Sequence, residues 1–216
     1  MNLVITIGRS FGSGGRHLGQ LLARRLNIGY YDKELLTESA RRAGVCPEFF
    51  EKNDERSPSF FTGLFSFSMG YSPVHYYAGA TSIGDDGVYK AQSEFIQHLA
   101  QQGPCVIVGR ASDYVLRDYD RLVSVFVHAP AEACVERIMK RQPELSAKEA
   151  RQLAEKTNKL RSNYYNFYTD HKWGDAATYD LCFDTSKMSM EDIVEVIVEY
   201  IRRRWKGDPS LNQVTL

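Results

Sequence analysis

Paired ligand and disulfide motifs are missing from this 216-residue chain. Its four cysteines stand far apart, with no Cys-x-x-Cys pair, and its five histidines are isolated from one another. We therefore expect reduced, mostly buried thiols, a cytoplasmic protein and no zinc site. The cysteines concerned are Cys46, Cys105, Cys134 and Cys182.

The chain also lacks an excess of charge and a long apolar run. Lysine plus arginine and aspartate plus glutamate each number 27, which argues against a protein that coats nucleic acid or an anionic membrane. No run approaches the roughly 20 apolar residues of a membrane span, and residues 1–7 lack the basic segment of a signal peptide. With 43% hydrophobic residues, we expect one globular domain over residues 1–216.

Short apolar runs alternate with helical patterns along the chain. This alternation predicts an α/β fold, a doubly wound parallel sheet of about five strands flanked by helices. Polar residues follow the predicted strands, at the sheet edge where such folds bind ligands. The predicted strands are 3–7, 28–31, 105–108, 122–127 and 181–183; the predicted helices are 18–26, one opening near 35–36, 89–102, 131–140, 146–168 and 190–205.

A glycine-rich loop at residues 8–16 separates the first predicted strand from the first helix. Backbone N–H groups of such a loop converge on a phosphate, and the helix N-terminus adds a positive dipole. The alternative is a tight turn whose glycines serve only helix–sheet packing. Four glycines within residues 8–15, beside two arginines, exceed what a turn requires. The loop therefore predicts a phosphate site.

The loop departs from the pattern Gly-x-x-x-x-Gly-Lys-Ser/Thr because it has no lysine. One alignment places Gly15 and Arg16 in the lysine and hydroxyl positions, and a second places Arg16 and His17 there. In both alignments Arg16 is the nearest cation. Arginine offers a bidentate fork to phosphate, which differs from the point charge of lysine.

Together with later blocks, the loop resembles the cytidylate kinase-like family of P-loop nucleoside monophosphate kinases. The similar segments are residues 5–36, VIVGRASDYVL at 106–116, VFVHAP at 125–130 with ERIMKR at 136–141, and residues 156–186. The resemblance implies a P-loop kinase core, an acceptor-side insert at about 33–100 and an arginine-rich lid at about 137–170. It also implies ATP and Mg²⁺ as cofactors, and a nucleotide or related small phosphate acceptor as partner.

The resemblance also implies roles for particular residues. Those expected to hold the donor nucleotide are Gly12, Ser13, Gly14, Gly15, Arg16, His17, Asp184 and Thr185. Those expected to hold the acceptor are Asp32, Lys33, Arg41, Arg110 and Asp113. Those expected to steady the transferred group are Arg16, Arg137, Arg141 and Arg161. The alternatives are a helix cap for Asp32, a strand-end ion pair of Arg110 with Asp113, and solvated helix surface for the lid arginines.

Two features leave the function open at this stage. The family's lid motif Asp-x-x-Arg appears as Asn158-Lys159-Leu160-Arg161, so an amide replaces one carboxylate. An aromatic segment, 49–77, occupies the acceptor region and could stack a base, pack as a small core or form an oligomer surface. The favoured function is an ATP-dependent kinase with CMP or dCMP as default acceptor. The alternatives are a nucleotide-sensing module without transfer activity and an assembly protein.

Overall fold

The computed structural model describes residues 2–33 and 85–208, which build a parallel sheet with helices on both faces. The strands are β1 Val4–Arg9, β2 Gly29–Tyr31, β3 Cys105–Val108, β4 Leu122–His128 and β5 Leu181–Asp184. The helices are α1 Gly15–Leu26, α2 Asp85–Gln102, α3 Ser112–Val115, α4 Ala131–Arg141, α5 Ala147–Thr169 and α6 Met190–Arg204, with a 3₁₀ turn at Ala176–Thr178.

The five described strands are all parallel and lie in the order β2-β3-β1-β4-β5. β1 is central, with Ile5 beside Val106 of β3 and Val123 of β4. Because all the strands run the same way, the loops after β1, β3 and β5 meet at one edge. The predicted doubly wound fold of about five strands is confirmed.

Alternation along the strands divides the apolar side chains between two cores. Ile5 and Val106 join the core that α1 and α6 cover, whereas Val4 and Ile107 join the core beneath α2 and α3. Successive side chains of a strand point to opposite faces. Helices on both faces therefore explain why β3 is apolar throughout and why β1 is apolar from Val4 to Ile7 except at Thr6.

Two elements were absent from the predicted set, α3 and the 3₁₀ turn. α3 follows three consecutive residues with positive φ, Gly109, Arg110 and Ala111, and its N-cap makes no side-chain hydrogen bond. The N-cap is therefore Ala111, which is not one of the usual N-cap residue types. Helix α5 begins with a capping box, because Ser146 and Glu149 exchange side-chain-to-backbone bonds.

Several expectations concern residues outside the described ranges. These are the helix opening near 35–36, Arg41, Cys46 and the aromatic segment 49–77. Among the cysteines that the structure describes, Cys105 and Cys134 are buried free thiols, and Cys182 is exposed. Within 2–33 and 85–208, no helix combines the length and hydropathy that crossing a bilayer requires.

Candidate active site at the carboxyl edge of the sheet

The glycine loop leaves the end of β1 and opens α1. Gly12 and Gly14 have φ values of 84° and 90°, a left-handed conformation that glycine adopts without steric cost. Gly14 is the N-cap of α1 and makes no side-chain capping bond. The N–H groups of the first turn therefore have no partner within the helix and are arranged to bind an anion.

Internal hydrogen bonds hold the loop in this shape. Ser10 N donates to Val127 O of β4 at 3.0 Å, and Ser13 Oγ donates to Ser10 O at 2.8 Å. Ser13 is fully buried, so its hydroxyl stabilises the loop through this bond. A Cβ at Gly12 would lie 2.8 Å from Cys134 O and 2.9 Å from Cys134 Cβ. The loop thus rests on α4 with no room for a side chain at position 12.

Arg137 of α4 connects the loop to the turn after β5. Its Nη1 donates to Ser13 O at 3.1 Å and to Thr185 Oγ1 at 2.8 Å, and its Nη2 donates to Thr185 O at 2.8 Å. Thr185 Oγ1 also lies 2.7 Å from Ser13 O and 3.2 Å from His128 O. In this conformation Arg137 therefore positions two parts of the donor side, and its predicted contact with the transferred group stays a prediction.

Asp184 shapes the same turn. Its Oδ1 accepts hydrogen bonds from Ser186 N at 2.9 Å and Ser186 Oγ at 2.7 Å. These bonds, the backbone one first, lower the pKa of Asp184 below its ordinary value. The carboxylate accordingly stays charged and fixes the turn that carries Thr185. The donor-base role predicted for Asp184 and Thr185 stays a prediction.

Asn158 of α5 also contacts the glycine loop. Its Oδ1 accepts a hydrogen bond from Phe11 N at 2.7 Å. The neighbouring Arg161 lies with its guanidinium carbon 5.4 Å from the centre of the Phe11 ring, and its Nη1 donates to Arg9 O at 3.4 Å. The Asn158 amide therefore contacts the loop backbone directly.

Arg16 forms an ion pair with Asp32. Its Nε lies 2.8 Å from Asp32 Oδ2, and the same oxygen accepts a hydrogen bond from Tyr30 Oη at 3.1 Å. Burial, followed by the charge of Asp32, raises the pKa of Tyr30, so Tyr30 keeps its proton. Asp32 is buried, whereas the Arg16 side chain is 52% exposed. The predicted donor-side cation thus contacts the predicted acceptor-side carboxylate.

In front of the loop lies a cavity of about 220 Å³, which we call the loop pocket. Its walls combine the loop backbone with basic side chains from β1, α1, α4 and α5. The charged or titratable residues described there are Arg9, Arg16, His17, Asp32, Lys33, Arg141 and Arg161. Arg141 is exposed, and its Nε donates to Arg137 O at 3.3 Å.

A second cavity of about 50 Å³ adjoins the loop pocket and extends towards β3; we call it the Arg110 pocket. Its wall combines aromatic and cationic side chains. The polar and aromatic lining residues are Arg9, Lys33, Arg110, Asp113, Arg161, Tyr164, Tyr165, Trp173 and Tyr179. The structure therefore brings the predicted acceptor residues Lys33, Arg110 and Asp113 together, and places Asp32 in the loop pocket instead.

Asp113 is the acidic residue among the described lining of the Arg110 pocket. Its Oδ2 accepts a hydrogen bond from Tyr165 Oη at 2.6 Å. Burial raises the pKa of Asp113, although the Tyr165 bond opposes that rise. Burial and the nearby carboxylate raise the pKa of Tyr165 in turn. Asp113 thus contacts a tyrosine of α5.

Sequence reasoning had not singled out three residues that the structure places at the site: Arg9, Asn158 as a loop contact, and Trp173. Arg9 is the last residue of β1 and lines both pockets. Trp173 packs edge-to-face on Phe126, with ring centres 5.4 Å apart. Arg9 had one sequence signal, its position directly between a buried strand and the glycine loop.

The donor set fits phosphates better than it fits a metal cluster. First-turn amides and several arginines surround the loop pocket, which suits a polyphosphate. Within the described residues, no group of three or more acidic, histidine or cysteine side chains lies together. Magnesium in nucleotide sites is held by one or two carboxylates together with the phosphates. Asp32 is the carboxylate that the described lining of the loop pocket offers, and it would hold Mg²⁺ there once Arg16 released Oδ2.

These features define an α/β protein with a glycine-rich loop and two adjoining pockets at the carboxyl edge of a parallel sheet. The chain belongs to the cytidylate kinase-like family, whose model matches residues 4–187. It is 26% identical over 197 residues to the cytidylate kinase of Pyrococcus horikoshii, covering 90% of this chain and 86% of that relative. It is 27% identical over 197 residues to the cytidylate kinase of Pyrococcus abyssi, covering 90% and 91%.

Solved structures share the architecture. An uncharacterized protein from Eubacterium ventriosum ATCC 27560 is 29% identical, with a TM-score of 0.69 over 93% of this chain and 98% of that one. The shikimate kinase from Acinetobacter baumannii in complex with shikimate is 16% identical, with a TM-score of 0.51 over 96% and 97%. The shikimate kinase from Bacteroides thetaiotaomicron is 14% identical, with a TM-score of 0.53 over 93% and 98%. The last two likenesses show the fold alone.

Proposed function

We propose that this protein is a phosphotransferase of the nucleoside monophosphate kinase type that uses ATP with Mg²⁺ and takes CMP or dCMP as its default acceptor. The observation that carries the proposal is the pair of adjoining pockets at the carboxyl edge of the sheet. One pocket presents first-turn amides of α1, and the other presents Arg110 and a tyrosine wall. The family membership and the named relatives supply the substrate class.

The donor phosphates would lie on the glycine loop. The amides from Gly12 to His17 bind their oxygens, and Arg16 adds a cation at the first turn of α1. Mg²⁺ supplies charge neutralisation when bound. Phosphoryl transfer needs little covalent chemistry from the protein, so these residues act by positioning the phosphates and neutralising their charge. Thr185 and Asp184 lie on the turn where the donor base would reach.

The acceptor phosphate would lie in the Arg110 pocket. Arg110 and Lys33 neutralise it, Asp113 and Tyr165 offer polar contacts beside it, and Arg161 lies where the two pockets adjoin. Arg141 and Arg161 come from the two helices of the predicted lid. Their guanidinium groups would approach the transferred group as those helices close.

A coupled ADP-release assay with CMP, dCMP, UMP and AMP tests the proposal. We expect turnover with CMP or dCMP, and a loss of about 100-fold or more in kcat/KM for Arg110→Gln, because a phosphate-binding cation is removed. Arg203→Gln is the matched control, since Arg203 is 80% exposed and pairs with Glu199 on α6. Absence of turnover with all four acceptors would remove the nucleotide-kinase assignment.

A second function is favoured by the Arg16–Asp32 ion pair in a loop without lysine. A nucleotide-binding regulatory module would bind ATP and transfer nothing. Thermal unfolding with ATP would then show a stabilisation, about 2.7 kcal/mol at 100 times the dissociation constant, without ADP release in the coupled assay. Turnover that depends on Arg110 would exclude this second function.

A further inference from the structure

Arg9 extends from the central strand into the space between the two pockets. It lines the loop pocket and the Arg110 pocket alike, and its backbone is paired with Val127 in the β1–β4 register. Arg9 is therefore held by the sheet, whereas Arg141 and Arg161 come from the helices of the predicted lid.

Two glycines make room for the Arg9 side chain. A Cβ at Gly15 would lie 2.6 Å from Arg9 Cβ and 2.9 Å from Arg9 Cγ, so the aliphatic stem passes over the first residue of α1. A Cβ at Gly109 would overlap Arg9 Nη1 and lie 2.8 Å from Arg9 Cζ. The guanidinium group therefore rests against the backbone that precedes Arg110. The path of Arg9 runs from the loop to the acceptor side.

Gly15 is also one of the two positions where the usual loop lysine aligns. A side chain at position 15 would occupy the space that the Arg9 stem fills. In the alignment that places Gly15 at the lysine position, the chain has no cation at that position and carries one from β1 across it. Arg16 lies elsewhere, with its Nε on Asp32.

We propose that Arg9 is a catalytic residue that takes the place of the missing loop lysine, binding the phosphoryl group as it passes from donor to acceptor. The inference rests on the proposed function. In the transfer, an acceptor phosphate oxygen forms a bond to the γ-phosphorus, the bond from that phosphorus to the β–γ bridging oxygen breaks, and ADP leaves with the electron pair. Arg9 donates hydrogen bonds to non-bridging oxygens and transfers no proton.

Kinetics of Arg9→Gln, Arg9→Lys and Arg203→Gln test the catalytic role. We expect Arg9→Gln to lower kcat by about 100- to 1,000-fold, the usual effect of removing one donor to developing charge. Arg9→Lys should recover part of that loss, because it keeps the charge without the fork. Arg203→Gln should match the wild type. An Arg9→Gln variant with kcat within about threefold of wild type would overturn the proposal.

Equilibrium binding separates this proposal from the proposed function. Titration calorimetry compares a non-hydrolysable ATP analogue with ADP on the wild type and on both Arg9 variants. We expect Arg9→Gln to weaken the analogue by about tenfold or more and to leave ADP within about threefold, since the γ-phosphate is what Arg9 contacts. Equal weakening of both ligands would mean that Arg9 only fills space between Gly15 and Gly109, and would overturn the proposal.

The outcomes remain distinct if the enzyme proves inactive. The wild type could turn over none of the acceptors and still prefer the analogue to ADP, with that preference lost in Arg9→Gln. This result would refute the kinase function and support the Arg9 contact. A wild type that binds neither nucleotide refutes both. If Arg9→Gln does not fold, Arg9→Lys keeps the aliphatic stem over Gly15. The ratio of its dissociation constants for the analogue and for ADP then tests the contact. If that ratio and kcat both equal the wild-type values, the contact is refuted.

Discussion

Arg137 shows how one side chain can hold the donor side of the site together. Replacing it with glutamine in Arg137→Gln removes the bonds to Ser13 O and to Thr185. Hydrogen bonds from a charged group are worth about 1.5–3 kcal/mol. We expect a fall of about 2 kcal/mol in the free energy of unfolding, measured by urea denaturation, and a raised KM for ATP.

Arg141→Gln is the matched control for this stability measurement, one turn further along α4. Arg141 is exposed and contacts Arg137 O at 3.3 Å, so its replacement should change stability by no more than about 0.5 kcal/mol. Equal losses in the two variants would show that the Arg137 contacts do not stabilise the fold.

Asp113 gives a pH-dependent prediction. Burial raises its pKa above the ordinary value of 3.8, so the folded state holds the proton more tightly than the unfolded state. The stability that this proton contributes is complete below the unfolded pKa and is lost as the pH rises through the folded pKa. Asp113→Asn carries no charge at any pH. We therefore expect its unfolding free energy, relative to wild type, to increase as the pH rises above the ordinary value of 3.8.

Urea unfolding at successive pH values checks the Asp113 prediction, because titrations shared by both proteins cancel in the difference. Tyr165, Tyr179 and His171 lie around the carboxyl group and are unchanged in the variant. The unfolding free energy of Asp113→Asn minus that of the wild type should grow with pH. A difference that stays constant or shrinks as the pH rises would contradict a raised pKa of Asp113.

The contacts of two individual arginines, Arg137 and Arg9, could not be predicted from the sequence. The structural contacts of Arg137 were missed, because its hydrogen-bond partners lie 124 and 48 positions away and include two backbone carbonyls. Carbonyl partners at such separations leave no pattern in a single sequence. Arg9 was missed for a related reason. Gly15 and Gly109 leave space for its side chain only when the sheet brings both glycines beside it.

At the scale of secondary-structure elements, helix α5 contacts the glycine loop through Asn158. In Asn158→Ala, Phe11 N loses the acceptor that lies 2.7 Å away. We expect a loss of about 1 kcal/mol in stability and weaker ATP binding, because α5 no longer fixes the loop. Asn158→Asp keeps an oxygen acceptor and should retain most of the stability, while its added negative charge weakens ATP binding.

Chemical denaturation and calorimetry on the two Asn158 variants check this prediction, with Lys159→Ala as control on the same helix. Lys159 is exposed, so its replacement should leave stability nearly unchanged. Wild-type stability in Asn158→Ala would contradict a fixing role for the Phe11 contact.

The elements themselves were largely predictable. β3 begins and ends where the apolar run 105–108 predicts, and α4 and α6 differ from their predicted ranges by one residue at the C-terminus. Periodicity succeeds here because each element buries a continuous apolar face. α3 escaped prediction because it is four residues long and follows a left-handed backbone at Arg110 and Ala111.

At the scale of the whole molecule, strand order explains the site. β1 lies between β3 and β4, so the glycine loop after β1 adjoins Gly109 and Arg110 after β3. The parallel sheet was predictable from alternating patterns, and with it the meeting of polar residues at one edge. The entry of Arg9 into the space between the pockets could not be predicted, because it depends on packing at Gly15 and Gly109 in the assembled fold.

The central claim is that the amides of the glycine loop, without the customary lysine, hold a triphosphate beside an acceptor pocket. A crystal structure with a non-hydrolysable ATP analogue and CMP measures this most directly. The account predicts β- and γ-phosphate oxygens within hydrogen-bond distance of the N–H groups of residues 12–17, and the CMP phosphate against Arg110. A nucleotide whose phosphates lie away from the loop, or a loop closed by the protein's own side chains, would contradict it.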